Sequence, residues 1–215
     1  MTKEKVSAVF IVAIAAGTIL YAQGVTINLP GMNRGYSPKQ PIEFSHRVHS
    51  GDLGMSCQYC HTGVDKSRHA GIPSASTCMN CHRFVTASRR QVEASRHSSQ
   101  RVFCGPVSGE LQKLYDAVGF DPRMLESPRE RAGVPLEWIR VHSLPDFVRF
   151  DHRPHVISGV SCEHCHGPVS RMERMSQWSD LSMGWCVNCH RDVNSGRIEA
   201  LRGRQASTDC SVCHY

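Results

Sequence analysis

Apolar and polar positions divide this chain unevenly. Residues 6–22 form an apolar run with no charged side chain inside it, preceded by Lys3 and Lys5. Its seventeen residues sit at the lower limit for a membrane-crossing helix and also suit a signal peptide. Leu20-Tyr21-Ala22 would make a poor cleavage site, so residues 1–23 are expected to be an uncleaved anchor. Positive residues stay on the cytoplasmic side, which puts residue 30 onward outside the cytoplasm. Residues 24–43, with Gly24, Pro30, Gly31, Gly35, Pro38 and Pro41, read as an extended linker. After it, helical periodicity is clear between Ser108 and Gly119, where Leu111, Leu114, Tyr115 and Val118 share a face and Gly119 stops the helix. Residues 121–133 read as a charged, Pro-containing loop and Trp138-Ile139-Arg140-Val141-His142 as extended chain. The expected class is mainly α with much irregular structure.

The irregular stretches hold the strongest local signal. Cys57-Gln58-Tyr59-Cys60-His61 is a C-x-x-C-H motif, and the pattern returns at Cys78/Cys81/His82, Cys162/Cys165/His166, Cys186/Cys189/His190 and Cys210/Cys213/His214. This is the attachment signature of a c-type haem. The two thiols add to the haem vinyl groups, and the adjacent His lies close enough to ligate the iron. Ten of eleven cysteines are consumed in this way, leaving Cys104. A structural zinc site needs a second ligand pair and has no reason to place His directly after each Cys pair. A redox C-x-x-C occurs near a βαβ pattern, and a disulfide framework explains none of the five histidines.

Five haems in 215 residues leave about 43 residues for each. That is too little protein for a conventional core, so the porphyrins must supply much of the buried apolar surface. Folding should then depend on haem attachment, as small metal domains depend on their ion. The formal charge of +6 invites a nucleic-acid partner. Two anionic propionates on every haem offset that charge and give the Lys and Arg side chains other partners, so no nucleic acid is expected.

The chain also repeats itself. Phe44-x-His46-Arg47-x-His49 precedes the first motif, and Phe150-x-His152-Arg153-x-His155 precedes the third. Each copy continues into a second motif ending in Asn-Cys-His-Arg, at Asn80 to Arg83 and Asn188 to Arg191. Two dihaem modules, 44–83 and 150–191, are expected within one domain of residues 44–215, with an insert at 84–149 and a fifth haem at 210–214. Histidines three apart share one side of a helix, so one helix can ligate two haems. His46 and His152 would reach one haem, and His49 and His155 a neighbour. His69 is placed to cap the second haem, and His142 is a further ligand candidate. His97 lies on a polar stretch, and Cys104 reads as an inert thiol.

The interval equivalent to that of His69 holds no His in the second module, residues 167–185, but does hold Met172, Met175 and Met183. Methionine ligation raises a haem potential relative to two His. Met172 is the first candidate and Met183 the second, against the alternative that both fill space beside Trp178 and Trp185.

With these residues in view, residues 40–215 closely resemble the pentahaem cytochrome subunit of alternative complex III. The paired F-x-H-x-x-H elements carry the likeness, with Val141-His142-x-Leu144-Pro145-Asp146-Phe147, His166-Gly167-Pro168-Val169 and Met183-Gly184-Trp185-Cys186. The stretch from about 88 to 135 matches less well. The resemblance implies a multihaem class III-like cytochrome at the periplasmic face of a bacterial inner membrane, in a complex that oxidises quinol. Its neighbours would be an iron–sulfur and molybdopterin-like protein, integral quinol-site subunits and a monohaem cytochrome. On its own such a subunit is not an enzyme, because six-coordinate haems pass electrons without binding substrate. A stand-alone membrane-anchored quinol dehydrogenase is the competing reading. A nitrite- or hydroxylamine-converting enzyme fits less well, since Lys is scarce and none lies in a haem motif.

Overall fold

The structure is a computed structural model and describes residue 15, residues 17–18, 33–96, 106–122 and 133–215. Most of the apolar run expected to form an anchor, most of the 121–133 loop, His97 and Cys104 lie outside the described residues. Among the described residues no helix is long and apolar enough to cross a membrane.

Short helices joined by irregular chain make up the described fold. They are α1 (Cys57–Cys60), α2 (Ala75–His82), α3 (Arg89–Arg96), α4 (Gly109–Val118), α5 (His152–Ile157), α6 (Cys162–His166), α7 (Met183–Asn194) and α8 (Cys210–Cys213). A π-helical turn spans Arg47–Asp52, and 3-10 turns span Val169–Arg171 and Glu199–Leu201. The only β pairing among the described residues is one antiparallel bridge, Val148 with His214.

The helix read from periodicity is α4. Ser108 accepts a hydrogen bond from the Leu111 N–H at its start, and Gly119 ends it in the left-handed conformation at φ 68°. Its buried face, Leu114 and Tyr115, meets Met79 of α2 to form the main apolar cluster. The fully buried Tyr115 also donates its hydroxyl to the His82 carbonyl at 2.6 Å, fastening the insert to the second C-x-x-C-H motif.

That cluster is small, as the low ratio of residues to motifs requires. Val64, Met79, Leu114, Tyr115, Val193 and Leu201 are the buried hydrophobics among the described residues. Phe84, Phe147, Ile157, Val212 and Tyr215, each within two residues of a candidate histidine or stacked on one, are more than half exposed, as is Met183. Apolar side chains left exposed at such positions are surface that a bound haem could cover.

The two repeats pack reciprocally. The Arg47 N–H donates to the Met172 carbonyl after the third motif (2.9 Å), and the His152 N–H donates to the Arg68 carbonyl after the first (3.2 Å). Each His-bearing turn therefore rests on the loop behind the other module's first motif. The turns are wound differently. Eleven positions separate His46 from Cys57 but ten separate His152 from Cys162, and the Arg47–Asp52 turn takes up the extra residue as a π-helix. Residues 33–43 hold no helix or strand, turn at Arg34 and Gly35, and dock on the second module: Gly35 N–H to Gln177 O at 2.7 Å, Gln177 N–H to Tyr36 O at 2.9 Å.

Candidate functional site

All five C-x-x-C segments are helical, on α1, α2, α6, α7 and α8. Residues three apart on a helix face the same side, so each thiol pair projects together and the following His emerges at the end of that turn. All ten motif cysteines are free thiols rather than disulfides. Neighbouring motifs press on one another. Burial raises the Cys162 thiol, and Cys57 of the first motif adds to the shift. Burial likewise pushes Cys165 up to about 11, with Cys189 and Cys186 of the fourth motif contributing.

Three histidine pairs face each other between a repeat element and a motif. The ring centroids of His49 and His82 are 6.0 Å apart, of His152 and His166 6.4 Å, and of His155 and His190 6.0 Å. An imidazole nitrogen sits about 2 Å from a metal it ligates, which places the centroids of two rings on opposite sides of one metal about 6 Å apart. The observed spacings fit an iron between each pair. His46 is the fourth repeat histidine. Burial, with His61 and His49 beside it, holds it down to about 4, so it is a neutral imidazole with a lone pair to offer. His166 is likewise held down to about 4 by burial and by His142 and His152.

The other ring nitrogen supports the same reading. A ligating imidazole uses one nitrogen for the metal and hydrogen-bonds through the other. Nδ1 contacts a backbone carbonyl in His61 (Gly71, 2.7 Å), His82 (Val85, 2.9 Å), His190 (Ser207, 2.5 Å), His49 (Ser45, 2.9 Å), His152 (Arg68, 3.0 Å) and His155 (Asp151, 2.8 Å). In each of the six, these contacts engage Nδ1 and not Nε2. The Nδ1 of His46 is buried without a partner.

The aromatic residue of F-x-H-x-x-H also acquires a role that its sequence position alone did not disclose. Phe44 meets His46 edge-on at 4.9 Å and stacks on His49 at 4.3 Å. Phe150 repeats this with His152 at 4.8 Å and His155 at 4.8 Å. One ring thus wedges between two histidines and orients both. The pattern was visible as a repeated Phe, but nothing in its spacing said what the ring touched.

Four expected positions stand apart from these facing pairs. The ring facing His82 belongs to His49, while His69, expected to cap that motif, is exposed. Its neighbour Arg68 donates to Tyr215 Oη at 3.0 Å, which turns this loop towards the C-terminal motif. His142 does not stand over a motif; its Nε2 lies 3.2 Å from His166 Nδ1. Met172 is half-buried with its sulfur 4.0 Å from Ser176 Oγ, and Met183 is 69% exposed one turn before Cys186. His214 stacks with Phe147 at 5.9 Å.

Comparison with known proteins agrees with this chemistry. Residues 23–107 match the class III cytochrome C family, and residues 148–215 match cytochrome c7 and related cytochrome c. The chain is also similar to the multiheme cytochrome c subunit of menaquinone reductase from Nitratidesulfovibrio vulgaris. The two are 27% identical over 202 residues, covering 83% of this chain and 79% of the relative.

Proposed function

We propose that this multihaem c-type cytochrome, of the class III and c7 kind, is the electron-transfer subunit of a quinone-linked membrane complex and holds five haems in series. Facing histidine rings at metal-sharing distance, repeated in both modules, carry the reading. Bound haem supplies one-electron chemistry; the chain supplies thiols, axial ligands and order.

In this reading Cys57, Cys60, Cys78, Cys81, Cys162, Cys165, Cys186, Cys189, Cys210 and Cys213 form the thioethers. His46 pairs with His61, His49 with His82, His152 with His166 and His155 with His190. The second ligand beside His214 comes from the loop of His69, which reaches the C-terminus through Arg68 and Tyr215; Met183 is the rival. Contacts between motifs support an order. Asn80 of the second donates to Tyr59 of the first at 3.2 Å, and Cys57 of the first lies beside Cys162 of the third. Cys189 of the fourth lies 3.6 Å from His164 of the third, and the carbonyl just ahead of the fifth, on Ser207, meets His190 of the fourth. The series runs second, first, third, fourth, fifth.

The likeness of residues 40–215 to the alternative complex III subunit supports a quinol-oxidising complex. Residues 1–23 would anchor the chain in the inner membrane, with the haem domain on the periplasmic side beside an iron–sulfur and molybdopterin-like protein, integral quinol-site subunits and a monohaem cytochrome. The relative named for menaquinone reductase favours a second reading, in which electrons run towards the quinone. Anaerobic addition of menaquinol to the purified complex, followed by haem absorbance, separates them. Fast haem reduction supports quinol oxidation. Inert haems that discharge into menaquinone after reduction by a donor support the reverse, and a chain that purifies alone and takes electrons from quinol overturns the subunit assignment.

A further inference from the structure

His166 is held unlike the other motif histidines whose Nδ1 contact is defined. His61, His82 and His190 each donate Nδ1–H to a backbone carbonyl, whereas His166 Nδ1 faces the Nε2 of another imidazole, His142, at 3.2 Å. The two rings are nearly perpendicular, at 86° with centroids 4.4 Å apart. On another side, His166 lies parallel to His152 within 4°. A His166 ring that ligates iron through Nε2 must carry its proton on Nδ1, and the His142 nitrogen facing it must then be the lone-pair acceptor. A nitrogen engaged in that bond is not free for iron.

We propose that His142 is a positioning residue for His166, accepting its Nδ1–H and tuning the third haem, rather than an iron ligand in its own right. This rests on the reading of His166 as an axial ligand. Two consequences follow from the chemistry of the acceptor. An imidazole nitrogen is a stronger acceptor than an amide carbonyl, so it draws the proton further from His166 and makes the ligating nitrogen more electron-rich. That stabilises the oxidised iron and lowers the potential of this haem. The half-buried setting of both rings strengthens the bond further. The segment bearing His142 is held in place from its far end, where Val148 bridges to His214 and Arg149 N–H donates to Cys213 O at 2.8 Å.

The test uses the mature haem-loaded chain in its complex, with His142→Leu and His142→Gln. Haem per protein is counted as the pyridine haemochrome, spin state is read by electron paramagnetic resonance, and potentials come from a redox titration. The expected result is unchanged haem content, no new high-spin haem, and a single haem shifted to a more positive potential in His142→Leu. The amide oxygen of His142→Gln should return that haem towards its native potential. A new high-spin haem in His142→Leu would make His142 a ligand and overturn the proposal, as would an unmoved titration curve. If His142→Leu does not mature, His142→Phe keeps the ring volume without the acceptor and decides by the same criteria. A wild-type protein lacking low-spin haem overturns the axial-ligand reading itself and this proposal with it, and is told apart by being seen before any substitution.

Discussion

His152 and His166 lie parallel within 4°, their centroids 6.4 Å apart, although fourteen positions separate them in the chain. The spacing suits a metal held between them, and the Nδ1 contacts of both rings, to Arg68 O and to His142, turn their Nε2 atoms to that task.

Removing one member of such a pair should open one iron only. His152→Ala and His49→Ala are each expected to convert one haem from low to high spin and make it bind carbon monoxide, with haem content unchanged. Absorbance difference spectra with and without carbon monoxide measure this. A fully low-spin variant would refute the pairing.

The Phe wedges should matter to two haems at once. Phe150→Ala removes a ring against both His152 and His155 and should cost about 3–5 kcal/mol if its cavity stays empty. Two haems, rather than one, should change in spin state or potential. Phe44→Ala should do the same in the first module, as a redox titration would reveal.

Gly167 follows the third motif at φ 72°, where an added Cβ would fall 2.3 Å from Trp178 Cγ. Gly167→Ala is both strained and overlapped, and is expected to destabilise the fold by about 1–3 kcal/mol. Thermal unfolding monitored at the haem absorbance tests this, with Gly159→Ala as the comparison. That position shares a positive φ but meets open space.

Tyr115→Phe should weaken the attachment of the insert. The lost hydrogen bond to the His82 carbonyl is worth about 1 kcal/mol, whereas Leu114→Ala should cost about 2–5 kcal/mol through its cavity. Chemical denaturation distinguishes the two sizes of effect.

Acid should act on α5 through its cap. The Arg153 hydrogen bond holds Asp151 down to about 2, and Asp151 also accepts from the Arg153 N–H at the helix start. Because the folded value lies below the ordinary one of 3.8, the stabilisation is complete above that range and disappears as pH falls towards 2. The low-spin absorbance should lose stability over that interval, and Asp151→Asn should remove that part of the pH dependence.

Much of the candidate site is legible in sequence because its chemistry is local. Thioether formation needs two thiols three residues apart and a ligand directly after them, so the ten motif cysteines and five histidines stand out without any fold. Repeat spacing pointed to two duplicated modules, and Leu111, Leu114, Tyr115 and Val118 with their Ser and Gly caps disclosed α4. The docking of residues 33–43 onto Gln177 was not legible, because extended chain pairs through backbone groups that every residue carries.

The sequence by itself therefore determined the attachment chemistry, the repeat and the pool of available imidazoles. Tertiary structure decided how that pool is spent. His49 rather than His69 faces His82, and His142 meets the far nitrogen of His166 instead of a motif of its own. The physical reason is that an imidazole offers two nitrogens to either a metal or a hydrogen bond. Which one it uses depends on what lies a few ångströms away in space, and residue spacing along the chain does not contain that distance.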